Sequence, residues 1–290
     1  MRKIQSNSNL SPSPFQDLMQ NLTPTAIICL SILILLIVLA IAAPWVSPYR
    51  STDILTNESY QLMSDSMLLG GDYLGRDMVS RLIYGLQITL GVTFVVTVLA
   101  FFTGCLMGFL AAVLGGIVDT ILSRVVDALI ALPAIMIAMI VIASLGSSLP
   151  VLIVTLALID STRVFRVARA LAMNIVVSDY VEAARVRGEG LKWIMWREIM
   201  PNALGPLAAE FGIRFTYTIL FMSTLGFLGL GMQPPYADLG LLIRENMQGL
   251  LFGSFAPLYP ALIISLITIT INIFIDWYLQ QLDSALPSEF

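Results

Sequence analysis

Long apolar stretches without a charged residue alternate with short polar segments along this chain of 290 residues. A helix needs about 20 predominantly apolar residues to cross the hydrocarbon core of a bilayer. The run between Asp127 and Asp160 contains a polar break at 146–150, so it holds parts of two helices. The five charge-free runs therefore predict six membrane-spanning helices, near 25–45, 86–113, 118–145, 150–170, 203–229 and 258–280.

The composition agrees with an all-α integral membrane protein. Apolar residues make up 58% and charged residues 12% of the chain, whereas soluble domains carry about 25% charged residues. The first run could instead be a signal peptide, because Arg2 and Lys3 precede it and 40–42 resembles a cleavage site. Its apolar part is longer than a signal core and follows a polar segment, 1–24, so a retained helix is the preferred interpretation.

The most distinctive polar segment lies between the predicted fourth and fifth spans. Seven of the 15 positive side chains fall between Arg163 and Arg197, and such a concentration is typical of cytoplasmic loops. Gly188 is placed to end one short helix. Pro201 is placed to end a second, since proline cannot continue a helix. The segment is therefore predicted to be a helix–turn–helix at the cytoplasmic membrane surface, where another protein could push on it.

The same charge asymmetry predicts the orientation of the chain. With the amino terminus inside, the cytoplasmic segments carry ten Lys and Arg residues and the external segments carry four. An even number of spans then puts both termini in the cytoplasm. The external segments are 46–85 and 230–257, and the cytoplasmic tail is 284–290.

Three separated motifs resemble one family. Residues 180–202 resemble the Glu-Ala-Ala loop of bacterial ATP-binding-cassette importer permeases; 69–85 and 226–235 resemble motifs of its dipeptide/oligopeptide/nickel branch. The loop positions are Glu182, Ala183, Ala184, Gly188, Ile199, Pro201 and Asn202. Those before the second span are Gly75, Arg76, Asp77, Ser80 and Arg81, and those after the fifth are Gly229, Gly231, Gln233, Pro234 and Pro235. In this order, they resemble the second, C-type permease of that branch.

The resemblance implies an ABC importer type I permease fold, with a transmembrane domain over 25–283 and an ATPase-coupling loop at 172–202. It implies half of a translocation pathway for peptides or a related small solute in the lipid bilayer of a bacterial inner membrane. The expected partners are a homologous second permease, two ABC ATPase subunits and a soluble extracytoplasmic solute-binding protein. ATP and Mg²⁺ would be used by those ATPases, and no cofactor is expected on this chain.

Residues that the sequence lacks exclude His-based catalysis, His metal ligation and a nucleotide site of the Walker type. There is no histidine, and the two cysteines, Cys29 and Cys105, lie inside predicted spans. Neither Lys3 nor Lys192 follows a glycine-rich phosphate loop, so a Walker-type nucleotide site is excluded. The chain is therefore not predicted to be an enzyme, to hold a metal, or, without a basic aromatic platform, to bind nucleic acid.

Charged residues inside the predicted spans are candidates for a transport role, because such groups are costly in hydrocarbon. Glu210 and Arg214 are four residues apart and so share one face of the fifth span. They could form a mutually neutralising structural pair, or they could line or gate a pathway. The same two interpretations apply to Arg124 with Asp127 and to Asp160 with Arg163.

Two further features bear on helix geometry. Pro133 is predicted to kink the third span. Gly104 and Gly108 form a Gly-x-x-x-Gly face that allows close helix contact, either within the chain or against a partner.

Other functions stay open on the residues alone. Half of an ion-coupled secondary transporter or a channel could use Asp127, Asp160 and Glu210 as coupling carboxylates. Among permeases of the resembled branch, the solute could be a nickel chelate, glutathione or an opine-like compound. A peptide-resistance or export system of the same family would share these motifs.

Overall fold

The computed structural model describes residues 22–65 and 67–285, which are helical apart from connecting segments and three isolated bridges. The predicted segments 1–24 and 284–290 lie outside these residues except for 22–24 and 284–285. The helices are α1 (Pro24–Ile41), α2 (Ala43–Val46), α3 (Met78–Leu114), α4 (Gly116–Ala131), α5 (Ala134–Leu145), α6 (Leu149–Val176), α7 (Asp179–Val186), α8 (Leu191–Trp193), α9 (Met200–Phe227), α10 (Leu239–Asn246) and α11 (Leu258–Ala285). A π-helical turn, Ile194–Ile199, joins α8 to α9, and a 3₁₀ turn, Met247–Phe252, follows α10.

Helix α3 is the central element of the fold. Its 37 residues span about 55 Å at 1.5 Å per residue, which exceeds the roughly 30 Å of a bilayer core. Asp77 caps its first turn, because the carboxylate accepts the backbone N–H of Ser80 at 2.8 Å. The helix ends at Gly115, whose φ of 60° takes the chain out of the helical conformation.

The apolar core forms separate clusters along α3. At the end where α3 begins, Leu82 packs with Leu239 of α10 and Ile267 of α11. Farther along, Val96 packs with α6 and α9. At the opposite end, Phe109 packs with Ala168 of α6 and with the start of α9. Helix α3 therefore joins both ends of the molecule.

Two glycines bring α3 against α6. A Cβ atom built on Gly104 would lie 2.6 Å from Val164 Cβ and 2.8 Å from the carbonyl oxygen of Ser161. One built on Gly108 would lie 2.9 Å from Ala168 Cβ. The contacts at both glycines advance along α6 in the same direction, so the two helices run parallel. The Gly-x-x-x-Gly face is thus used within the chain.

The predicted third span is broken at its proline. Helices α4 and α5 meet at 132–133 with a bend of 87°. Pro133 has no N–H to continue α4 and disfavours the helical conformation at the preceding residue, Leu132. Leu132 is accordingly extended, with φ −88° and ψ 140°. The expected kink is therefore a bend of nearly a right angle.

Not every predicted span is apolar enough to be recognised as one in the structure. Within the described part of the chain, α1, α3 and α11 are long and apolar enough to cross a membrane, and the bent pair α4–α5 would make a fourth. Helices α6 and α9 have sufficient length, 28 residues each, but carry charged and polar residues at mid-helix. The prediction of six spans is therefore confirmed only as far as an all-helical architecture with three or four candidate spans.

We expect Gly104→Ala to destabilise the protein by about 1–3 kcal/mol, because the added methyl group would force α3 away from α6. Thermal or denaturant unfolding of the purified protein in detergent measures this effect. Gly91→Ala, on the same helix with nothing within 4 Å of its added Cβ, is the matched control and should be neutral or stabilising. Equal stability of the two variants would contradict the close α3–α6 contact.

Candidate functional site

The predicted ATPase-coupling loop is a well-packed structure at one end of the molecule, here called the coupling segment (residues 172–202). Val181 and Ala184 of α7 are fully buried, and Val181 belongs to the apolar cluster that contains Phe109 and Ala168. Glu182 and Ala183 lie on the exposed face of α7. The helix is therefore anchored by one face and presents the other to a partner.

Gly188 ends α7 as the sequence predicts. Its φ is +81°, a conformation that costs other residues about 1–2 kcal/mol. Its N–H donates to the carbonyl of Arg185 at 2.9 Å, and the N–H of Glu189 donates to that of Ala184 at 3.1 Å. These two bonds form a Schellman motif. A Cβ on Gly188 would meet nothing within 4 Å, so the space beside it is open.

Pro201 does not end the second helix of this segment, and that prediction is wrong. The chain continues from α8 through the π turn into α9, where Pro201 occupies the first helical turn. Proline has no N–H to donate, and the π turn just before it replaces the α-helical hydrogen-bond pattern that a proline would interrupt. The N–H of Met200 donates to the carbonyl of Met195, five residues back, so the π turn lets the two helices join.

The seven predicted coupling residues divide into two groups. Ala184 and Ile199 are buried. The exposed group comprises Glu182, Ala183, Gly188, Pro201 and Asn202. Arg187 links the two helical parts, since it lies 3.9 Å from the carboxylate of Glu198 and 5.5 Å from the ring of Trp193.

The opposite end carries a compact polar unit, here called the cap (described residues of 47–77 and 228–257). At its centre, the fully buried Asp72 carboxylate accepts Arg76 Nε at 2.6 Å and the backbone N–H groups of Leu74 and Arg76 at 2.9 Å. Glu245 of α10 lies 2.6 Å from Arg81 Nη2 and 3.4 Å from Arg76 Nη2. This network ties the segment before α3 to α10.

The predicted motif residues of the cap have identifiable packing roles. A Cβ on Gly75, at φ +75°, would lie 2.1 Å from the carbonyl oxygen of Thr56. One on Gly229, at φ +82°, would collide with the guanidinium of Arg244. Ser80 donates to Asp77 at 2.6 Å and accepts the N–H of Tyr49 at 3.2 Å. These residues thus build the cap.

The structure brings the second and third motifs together. Arg81 Nη1 donates to the carbonyl of Pro235 at 3.4 Å. The side chain of Gln233 donates to the carbonyls of Gly229 and Gly231 at 3.4 and 3.2 Å. The peptide bond between Pro234 and Pro235 is cis. The two motifs are therefore parts of one unit.

Asp238 is a central cap residue that sequence reasoning missed. It is fully buried and accepts the N–H of Leu241 at 3.0 Å and of Met232 at 3.2 Å. Burial raises the pKa of its carboxyl, and those N–H groups act in the opposite direction. A Cβ on Gly226 or Gly231 would lie within 2.6 Å of its oxygens. Its position before α10 is the N-cap signal that could have revealed it.

Between these two ends, charged residues meet at the middle of the helices. Arg214 Nε lies 2.7 Å from Glu210 Oε1, and each side chain is 12% exposed. The N–H direction is poor, so neither atom has a hydrogen-bond partner, and Arg214 Nη1 also lacks one. The guanidinium lies 5.0 Å from the centre of the Tyr217 ring. The two residues thus share a helix face, as their spacing predicts.

The other predicted charge pairings are wrong. Asp160 accepts the hydroxyl of Thr218 on α9 at 2.6 Å rather than pairing with Arg163. Asp127 accepts Arg166 Nη2 at 2.6 Å, in an exposed pair between α4 and α6. A charged residue can bond either to a residue three positions away on its own helix or to one on a neighbouring helix. Here the partners of Asp160 and Asp127 lie on neighbouring helices.

Two family models of membrane transport permeases match this chain. Residues 102–286 match the family model described as "Binding-protein-dependent transport system inner membrane component", and 13–63 match the "N-terminal TM domain of oligopeptide transport permease C". The chain belongs to this family of transport permeases, as its motifs predict.

Relatives match along most of the chain. The di/tripeptide transport system permease protein DppC of Pseudomonas aeruginosa is 31% identical over 285 residues, covering 96% of this chain and 94% of the relative. The dipeptide transport system permease protein DppC of Escherichia coli is 34% identical over 267 residues, covering 90% and 89%.

A solved structure shares the fold. The chain titled "Crystal structure of an amino acid ABC transporter with histidines" superposes with a TM-score of 0.53 at 20% identity, covering 70% of this chain and 94% of its own. The predicted ABC permease fold type is therefore confirmed.

We expect Glu210→Leu and Arg214→Leu each to reduce the amount of assembled permease complex. In each variant the remaining charge would lose its neighbour, at a cost of about 3–5 kcal/mol. The double variant should restore assembly, since no unpaired charge is left. Size-exclusion chromatography of the detergent-solubilised protein measures assembly. A single variant that assembles as well as wild type would show that the two charges do not depend on each other.

Proposed function

We propose that this chain is the C-type permease subunit of an ATP-driven importer and forms half of a translocation pathway for peptides. The supporting observation is that relatives named as peptide permeases match over 90% or more of the chain. Nickel chelates, glutathione and opine-like compounds are alternative solutes, and an export or resistance role is the alternative direction.

The coupling segment would be the docking surface for separate ABC ATPase subunits, which would bind ATP and Mg²⁺. The exposed face of α7, with Glu182 and Ala183, fits a groove-binding role. Val181 on its buried face belongs to one apolar cluster with Phe109 of α3 and Ala168 of α6. A push on α7 would therefore reach the long helices through this cluster, and no catalytic residue is needed on this chain.

The helix that begins at α8 offers a route for the signal. It runs without interruption from Leu191 through the π turn to Phe227, so it links the coupling segment to Arg214 and to the cap. The break at 132–133 divides the proposed third span into two helices, α4 and α5. ATP binding would bias the equilibrium between two packings of these helices, one open to each side of the membrane.

The complete transporter would contain a homologous second permease and a soluble extracytoplasmic solute-binding protein. We place six spans in a bacterial inner membrane, with both termini in the cytoplasm, and the cap on the outer side. The cap's rigid ion-pair network supports its use as a docking platform for the solute-binding protein.

We expect Gly188→Leu to leave the transporter assembled but to uncouple ATP hydrolysis from peptide uptake. The reasons are strain at its positive φ, about 1–2 kcal/mol, and bulk in the open space beside the coupling segment. The rates of ATP hydrolysis and of dialanine uptake are measured on the complex reconstituted with its binding protein.

Gly146→Leu is the matched control, because Gly146 also has a positive φ of +87° with open space around it but lies between α5 and α6. Gly188→Asn, which tolerates the same backbone conformation, separates strain from bulk. Normal coupling in Gly188→Leu would contradict the assignment of the docking surface.

We expect a membrane-impermeant thiol reagent to label a cysteine at position 60 from outside the cell and one at position 190 only after permeabilisation. The background chain would lack Cys29 and Cys105, which are both buried. Labelling of position 190 in intact cells would reverse the proposed orientation.

A further inference from the structure

A cavity of about 300 Å³ lies between α5, α6 and α9 and contains charges of both signs. Its charged lining residues are Asp160, Arg163 and Arg214, and all three lie near the midpoints of 28-residue helices. We call it the mid-helix cavity. Its remaining lining includes Tyr217, Thr224 and Phe221. Charged residues at this depth are costly in hydrocarbon and are associated with substrate or ion pathways.

Arg214 lines this cavity, and two of its guanidinium donors have no hydrogen-bond partner. Nη1 is buried without a hydrogen-bond partner, and Nε lies beside Glu210 without a well-directed bond. A buried donor without an acceptor is unfavourable. A planar guanidinium is best satisfied by a carboxylate, which accepts two parallel N–H bonds. A ligand carboxylate in the cavity would offer this guanidinium such an acceptor, in addition to Glu210.

Asp160 provides the complementary charge. Its Oδ2 accepts the hydroxyl of Thr218 at 2.6 Å, while no hydrogen bond to Oδ1 occurs among the residues that the structure describes. Thr218 is itself held in place, since its hydroxyl lies 3.5 Å from Thr97 of α3. A carboxylate with one oxygen fixed and one unused is suited to accept an ammonium group.

We propose that the mid-helix cavity binds a short zwitterionic peptide, with Arg214 on its terminal carboxylate and Asp160 on its terminal ammonium. Ligand pockets generally measure about 300–1,000 Å³, so this cavity, at the lower limit, suits a di- or tripeptide. Ile159, Leu220 and Phe221 line it without directed polar groups, which leaves the peptide side chains unselected. The inference rests on the proposed transport of peptides and assigns the residues that recognise them inside the membrane.

Equilibrium binding of radiolabelled dialanine to the complete transporter in nanodiscs, without its solute-binding protein, tests this proposal. Dialanine amide and N-acetyl-dialanine serve as competitors that lack one terminal charge each. In the wild type, each should compete about ten- to a hundredfold more weakly than dialanine, as expected for loss of a charge-assisted interaction.

The variants should change this preference selectively. Arg214→Gln should weaken the binding of dialanine but leave the affinity for the amide unchanged. Asp160→Asn should weaken the binding of dialanine but leave the affinity for the N-acetyl derivative unchanged. Asp127→Asn is the matched control, because it removes a carboxylate from an exposed pair outside the cavity, and should alter none of the three. If Arg214→Gln does not assemble, the double variant Glu210→Gln/Arg214→Gln removes both charges. It is then judged by the ratio of its affinities for dialanine and for dialanine amide.

Two results would overturn the proposal. One is a wild-type complex that imports dialanine with its binding protein but binds none of the three compounds without it. The other is a variant that weakens all three equally, since that result identifies a structural role. The proposed function fails separately, if wild-type complex with its binding protein shows no ATP-driven uptake of any peptide.

Discussion

The close approach of α3 and α6 is the contact on which the rest of the structure depends. Gly104 and Gly108 leave no side chain between the two backbones. In lipid, where the hydrophobic effect does not drive helices together, such packing is a main source of association. Because α3 also carries the cap at one end and supports the coupling segment at the other, displacement of α6 along it would disturb both.

Polar side chains add further fixed points along α3. Thr89 accepts the N–H of Leu239 at 3.0 Å, and Thr97 lies 3.5 Å from Thr218 on α9. Thr93 and Thr97 also donate to the carbonyls one turn before them, at 2.6 and 2.8 Å. Each hydroxyl thus has a partner inside the protein, where unsatisfied groups would be unfavourable. These threonines hold α9 and α10 against α3 without placing charge at that interface.

The charged groups are distributed according to what each region does. In the cap, the Asp72 carboxylate is surrounded by donors from its own segment and Arg76, which favours one rigid conformation. At mid-helix, Arg214 keeps unused donors beside a cavity. A rigid cap, an anchored coupling segment and an incompletely satisfied centre are the combination expected of a permease that changes shape around a solute.

The sequence alone determined the family and the helical class, and it located the long helices, although α3 begins at Met78 rather than near 86 and the predicted third span is two helices. These properties follow from local features: charge-free runs, the glycine that ends α7, and three motifs in a fixed order. The spacing of Glu210 and Arg214 likewise determined their shared helix face, because four residues make about one turn.

Only the tertiary structure decided which helices those residues meet. It paired Asp160 with Thr218 and Asp127 with Arg166, because side chains on adjacent helices competed with nearer ones in sequence. It joined the motif around Arg81 to Glu245, 164 residues away. It also showed that the helix continues through Pro201 by way of a π turn. Whether a proline breaks a helix depends on the hydrogen bonding of the preceding turn, and the spacing of residues in the sequence does not specify that hydrogen bonding.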